Sequence, residues 1–274
     1  MNNYLIYLTA ITATIFILLS STAQADILVE TSPFCPNSTS TDTYIINTNV
    51  IFNCTAPVNI NVTGNNYAIF VNDSYTLDMN GTVLIGNNLG IGIQLGNNSI
   101  LKNGIIRNYN KGIYLVNSIN NTLINNTVNN NQDGIYFSSS SNNTLINNIA
   151  KNNRMGIYFY SSSNNTLTNN TANNNNYEGI YLYSSSSNIL TNNTVNNNKY
   201  GIYLRSSNSN ILTNNTVNNN NYEGIYLDSS NSNTLTNNTA QENKEYDLYV
   251  SADTDDHCNN LITNTTGSGG RPIL

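Results

Sequence analysis

The chain has 274 residues, asparagine supplies nearly a quarter of them, and only 9% are charged. The formal net charge is −6 and Lys and Arg never cluster, which excludes nucleic acid as a partner, because phosphate neutralisation needs a basic stripe. An ordinary globular composition is excluded as well, leaving low-complexity disorder or a repeat architecture.

In chain order, residues 1–25 come first: an apolar run from Leu5 to Leu19, then Ala23-Gln24-Ala25, the small-x-small pattern of a secretory cleavage site. No Lys or Arg precedes the run. A signal peptide is expected, with a mature chain that starts near Asp26, is secreted or held in the cell envelope, and has no membrane span. A retained membrane anchor is the alternative, although the run is short for a full crossing.

Residues 26–66 precede the regular repeats and read as an N-terminal cap over the open end of a stack. Cys35 and Cys54 both lie there, and in an exported chain a disulfide between them is the simplest pairing. Cys258 is then the odd cysteine, free or bridged to a partner chain. Asn-x-Ser/Thr sequons are frequent; Asn37, Asn61 and Asn72 are the glycosylation candidates, while those at Asn125, Asn169, Asn192, Asn214 and Asn237 arise from the repeat itself.

From about Tyr67 to Thr266 one unit returns every 22 or 23 residues, marked by Gly-Ile-Tyr at Gly112, Gly134, Gly156, Gly179, Gly201 and Gly224. Each is followed by a Ser/Asn-rich stretch, a segment centred on leucine (Leu123, Leu145, Leu167), and Asn-Asn-Thr-Val or Asn-Asn-Thr-Ala. Such a fixed period means a solenoid, because disorder has no reason to hold apolar residues in phase. The alternation in Gly-Ile-Tyr-Leu is that of a strand with one buried face: Ile135 and Phe137 inward, Tyr136 outward. Glycine is expected to make the turn into the strand.

No stretch suits a helix, so the fold class is all-β: a single right-handed parallel β-helix of about nine rungs, roughly 40 Å long at ~4.8 Å per rung. Its core volumes should balance, since Phe137 and Phe159 are followed by Ala150 and Ala172, whereas Leu115, Leu182 and Leu204 are followed by Val128, Val195 and Val217. Leu227 with Ala240 departs from that trade and predicts a looser rung. Asn126, Asn148, Asn170, Asn193, Asn215 and Asn238 recur at one slot and should stack as an amide ladder at a tight turn. The stretch from Ser251 to Asn260 should shield the far end, and residues 267–274 read as a flexible tail.

The repeat Gly-Ile-Tyr-Leu with its Asn-Asn-Thr companion resembles the right-handed parallel β-helix repeats of NosD-like and carbohydrate-binding/sugar-hydrolysis proteins. The resemblance implies the fold, but such repeats serve lyases, epimerases, adhesins and surface proteins alike. NosD-like proteins also bring a copper association, for which His257 and Cys258 would be ligands, beside Asp253, Asp255 and Asp256 as calcium ligands. One histidine and one cysteine make no closed site, and no metal or other cofactor is expected.

The outward residues form a column of Tyr114, Tyr136, Tyr158, Tyr181, Tyr203, Tyr226 and Tyr249. Cross-strand stacking alone would explain it, but an exposed aromatic strip also suits glycans or a surface protein as partner. Tyr160, Tyr183, Arg205 and Asp228 flank it on one side, and Asp133, Arg154, Glu178, Lys199 and Glu223 on the other. The first expectation is an exported, non-catalytic surface protein that binds through this column. The alternatives are a polysaccharide lyase or hydrolase using Glu178, Glu223, Arg205 or Asp228, and a purely structural envelope spacer. Glu178 and Glu223 stand two rungs apart, ~9.6 Å, at the upper edge for inverting hydrolysis; each follows Tyr and precedes Gly, so both are expected to be solvated turn residues.

Overall fold

The computed structural model describes residues 25–273, and the backbone of 4–10 and 13–19. Of the expected cleavage signal Ala23-Gln24-Ala25, Ala23 and Gln24 lie outside the described residues. The two strands before it, Tyr4–Ala10 and Ala13–Leu19, pair antiparallel, and the second adds antiparallel to Asp26–Val29.

One repeat shows how residue order becomes architecture. Asp133–Ser138 is a strand of a first sheet, and left-handed Ser139 (φ 50°) ends it. Thr144–Ile146 belongs to a second sheet, and left-handed Asn147 (φ 55°) turns the chain into Ile149–Lys151 of a third. Asn152, again left-handed, returns it to the first sheet at Met155–Tyr160, one rung on, with Ile135 beside Ile157 and Tyr136 beside Tyr158. Strands that pair with their own copies a fixed number of residues away must lie parallel. Crossovers between parallel strands are right-handed almost without exception, and the result is a right-handed parallel β-helix.

The second sheet has ten strands, giving about ten turns where nine were expected from the repeats. The addition comes from residues 26–66: Val50–Ile51 is the extra strand of the second sheet, and Asp26–Val29 and Thr43–Ile46 join the first sheet in parallel register with Tyr67–Val71, so this stretch contributes strands to the stack. A disulfide joins Cys35 to Cys54 there, with Cα atoms 5.2 Å apart. At the other end, Asp255–Cys258 forms a short 3-10 helix, and the terminal segment folds back, the Ile273 amide donating to the Thr265 carbonyl.

A single core runs the length of the stack. Ile135, Phe137, Leu145 and Ala150 of one rung are fully buried, and Phe137 stacks on Phe159 of the next at 4.5 Å between centroids. Each of the larger side chains contributes roughly 1.5–3 kcal/mol by leaving water, a sum repeated from rung to rung. Ile225, Leu227, Leu235 and Ala240 are buried to the same degree.

The glycines play a different part from the one expected. None of the six Gly-Ile-Tyr glycines has a positive φ. They lie buried where neighbouring rungs crowd: a Cβ on Gly134 would stand 2.5 Å from the Gly156 carbonyl oxygen and 2.7 Å from Asn153 Nδ2. Close approach requires glycine here, and the turns are made by Asn and Ser.

The asparagine ladder extends to three corners. In the expected one, Asn148 Oδ1 accepts from the Asn126 amide at 3.0 Å, while its Nδ2 donates to the Leu123 carbonyl at 2.9 Å and to Asn170 Oδ1 at 3.1 Å. Asn143 and Asn153 make the same pattern in two further corners. The corner after the first sheet uses serine: the Ser140 amide donates to Ser162 Oγ at 3.0 Å, and the Ser140 hydroxyl to the Ser138 carbonyl at 3.0 Å. Apart from Asn121 Nδ2, which is buried without a partner, these buried corner groups find partners in the adjacent rung or their own turn, as burial demands.

Candidate functional site

The parallel register of the first sheet sets Tyr114, Tyr136, Tyr158, Tyr181, Tyr203, Tyr226 and Tyr249 in one row on its outer face. Consecutive rings lie 5.2, 4.8, 5.0, 5.0, 4.5 and 5.3 Å apart, nearly all of them stacked. The column is less open than expected: Tyr181 is only 9% exposed, and Tyr249 at the end of the row reaches 37%. Because each ring face is covered by the next ring, the surface receives ring edges and hydroxyls. Burial pushes the Tyr136, Tyr158, Tyr181, Tyr203 and Tyr226 hydroxyls above the ordinary phenol range. Raised in this way, they favour the phenol over the tyrosinate.

A second line of residues borders the column. Lys199 Nζ lies over the rings of Tyr177 and Tyr222 at 5.2 and 5.1 Å, and Arg154 over Tyr177 at 5.9 Å, so cations and aromatic rings alternate along the axis. Lys111 stands over Tyr114 and Tyr136. On the opposite border Arg205 lies over Tyr183 at 5.6 Å and 3.5 Å from Asp228, whose carboxylate also accepts the Tyr203 hydroxyl at 2.7 Å. Arg205 and Asp228 are thus engaged with each other and with the column. Four of the nine Lys and Arg side chains lie against rings of this face.

Glu178 and Glu223 are not the solvated turn residues expected. Glu178 is 8% exposed and Glu223 7%, and Oε2 of each is buried without a hydrogen-bond partner. Burial raises the Glu178 carboxyl above its ordinary range despite Arg154 and Lys199, and raises Glu223 with Glu245 adding to it. Asp133, two strands before Glu178, is also buried; burial raises it although Arg154 Nη2 donates to its Oδ1 at 2.8 Å. The repeated triplet Tyr-Glu-Gly, at 177–179 and 222–224, was the available signal for the Tyr177–Lys199–Tyr222 border and for these buried acids. It could not be read from one unit, because the residues that cover Glu178 come from neighbouring rungs.

The remaining candidates lie elsewhere. Asn37 and Asn61 are exposed, whereas Asn72 is partly buried and donates to Asn47 Oδ1 at 3.0 Å. Cys258 is free and exposed. His257 Nδ1 accepts from the Asp253 amide at 3.1 Å, and among the described residues no three His, Cys, Asp or Glu side chains gather in metal-binding geometry. The residues present do not fit a bound copper ion.

A protein-family model described as periplasmic copper-binding protein (NosD) matches residues 15–175 and 96–268. No curated protein matches the chain. Among solved structures, the periplasmic alginate epimerase AlgG is similar with a TM-score of 0.63 at 13% identity, over 89% of this chain and 85% of that one. The A-module of the Azotobacter vinelandii mannuronan C-5 epimerase AlgE6 gives 0.58 at 13%, over 91% and 89%. The Dettilon tailspike protein gp208 gives 0.53 at 14%, over 89% of this chain and 53% of that one. At such identities these likenesses concern the fold alone.

Proposed function

The chain belongs to the NosD family, and from that premise we propose that it is an exported cell-surface or envelope protein that binds glycans along the tyrosine column without catalysing a reaction on them. The observation that carries this reading is the stack itself: seven rings whose hydroxyls line one edge, bordered by Lys111, Arg154, Lys199 and Arg205. Ring edges and hydroxyls offer polar, donor-rich contact in place of broad stacking against a sugar face. The most exposed rings are at the border, where Tyr177 and Tyr246 are 44% and 53% exposed. The alginate epimerases that share the fold act on a polysaccharide, which makes alginate oligosaccharides the first probe.

A glycan array tests it. Wild-type binding should fall at least about tenfold, a loss of ~1.4 kcal/mol, when Tyr158, Tyr181 and Tyr203 become Phe, a change that keeps the rings and removes the hydroxyls. Replacement of all three by Ser should abolish it. Equal binding by wild type and both variants would sink the proposal.

A second reading, a polysaccharide lyase or hydrolase, is favoured by the buried, upward-shifted Glu178 and Glu223 carboxyls, since a raised carboxyl suits a general acid. Release of reducing or unsaturated sugars, lost on Glu178→Gln, would support it over simple binding.

A further inference from the structure

The second sheet takes no part in that reading, yet its outer face is also regular. Over seven rungs, from Thr122–Ile124 to Leu261–Thr263, its strands stand in parallel register around a central residue, a buried leucine in six and the partly buried Ile262 in the last. Two outward rows result, one running from Thr122 to Leu261 and the other from Ile124 to Thr263. Every member is Thr, Ile or, once, Leu. The row containing Ile124 begins in earlier rungs with Asp78 and Lys102, which form a 3.2 Å ion pair; from Thr122 onward neither row holds a charge.

The hydroxyls of these rows are free in a way that the corner residues are not. Among the described residues only Thr236 and Thr263 share a side-chain hydrogen bond, at 3.1 Å. Strand preference accounts for the choice of β-branched residues. It does not account for a two-row array free of charge whose hydroxyls, Thr236 and Thr263 apart, lack partners among the described residues. β-branching also leaves each side chain few rotamers, so the array is stiff. Its two repeats are ~4.8 Å from rung to rung and ~6.7 Å between alternate residues of one strand.

We propose that this face binds ice. Both repeats are of the order of the oxygen–oxygen repeats on the surfaces of hexagonal ice, and the chemistry is complementary. A threonine hydroxyl can donate to one lattice water and accept from another, while its methyl group and the intervening isoleucines hold water in an ordered cage. Ice carries no net charge, and a face without charges matches it, whereas a Lys or Asp would organise water around itself. Seven rungs supply enough repeats for many weak contacts to act together.

The experiment is thermal hysteresis and ice-crystal shaping by the purified full chain, against an equal concentration of serum albumin. Faceted crystals and a freezing-point gap above the albumin blank are expected for the wild type. Thr168→Lys with Thr213→Lys, which place cations in the second row, should remove the gap while thermal melting of the fold stays unchanged. The phenylalanine variants of Tyr158, Tyr181 and Tyr203 should keep it, which separates this proposal from the glycan reading. Absence of shaping by the wild type would overturn it, and so would activity that survives the lysine variant. Concentration-dependent dimerisation abolished by that variant, or retention on chitin with no effect on ice, would assign the face to another partner and also overturn it.

Discussion

Gly134 and Glu178 show how a residue's role depends on rungs that the local sequence does not contain. Both sit in motifs that look like turns, and both are buried against the neighbouring strands. Gly134→Ala should cost about 2 kcal/mol in chemical denaturation, since its methyl would press on the Gly156 carbonyl and neither backbone can yield easily. Asn148→Ala should cost about 2–3 kcal/mol, because it strands the Asn126 amide and the Leu123 carbonyl in a buried corner. The acids set a pH dependence. Burial raises Asp133, Glu178 and Glu223 in the folded chain, so their contribution to stability is complete below the ordinary carboxylate range and is lost as pH rises through the raised values. Glu178→Gln should therefore raise Tm at pH 7 by about 2–4 °C, corresponding to about 1 kcal/mol, and give no gain near pH 4. A lowered Tm at pH 7 would show that the carboxylate is stabilising.

At the level of strands and corners, the sequence was most legible where the repeat must agree with itself. The outward tyrosine row, the inward Ile and Leu positions and the Asn126 ladder follow from phase alone, because parallel strands in register place equal positions side by side. The corners were less legible. Left-handed turns in asparagine follow from its local hydrogen bonding, but Ser139 and Ser161 occupy left-handed positions too, each just before a buried serine whose hydroxyl closes the turn. Core volume is decided by strands jointly. Ala150→Val should destabilise by about 1–3 kcal/mol, since Phe137 and Phe159 already fill that part of the core. Ala240→Val, opposite the smaller Leu227, should be neutral or stabilise by up to about 1 kcal/mol. Thermal melts of the two variants compare these rungs directly, and an equal loss in both would refute the volume argument.

For the whole molecule, a rod of about ten turns presents three faces, the third divided between two sheets, that share one core and differ in what they show outside. The first carries aromatic rings, cations and buried acids, and the second carries a charge-free threonine array. The division was only half visible in the sequence: the tyrosines stood out because aromatic residues are few, while threonine passed as strand propensity. Stacking also altered the aromatic face, since a row of tyrosines suggests open rings and the register closes them against one another. The remaining edge, with its hydroxyls, is the proposed binding surface. Its most direct test is a tyrosine-ring NMR titration of the full chain with the best glycan from the array. Saturable shifts are expected at Tyr136, Tyr158, Tyr181 and Tyr203 with none at the buried Tyr44 and Tyr109; binding that leaves the column's resonances unmoved would rule out the tyrosine edge as the binding surface.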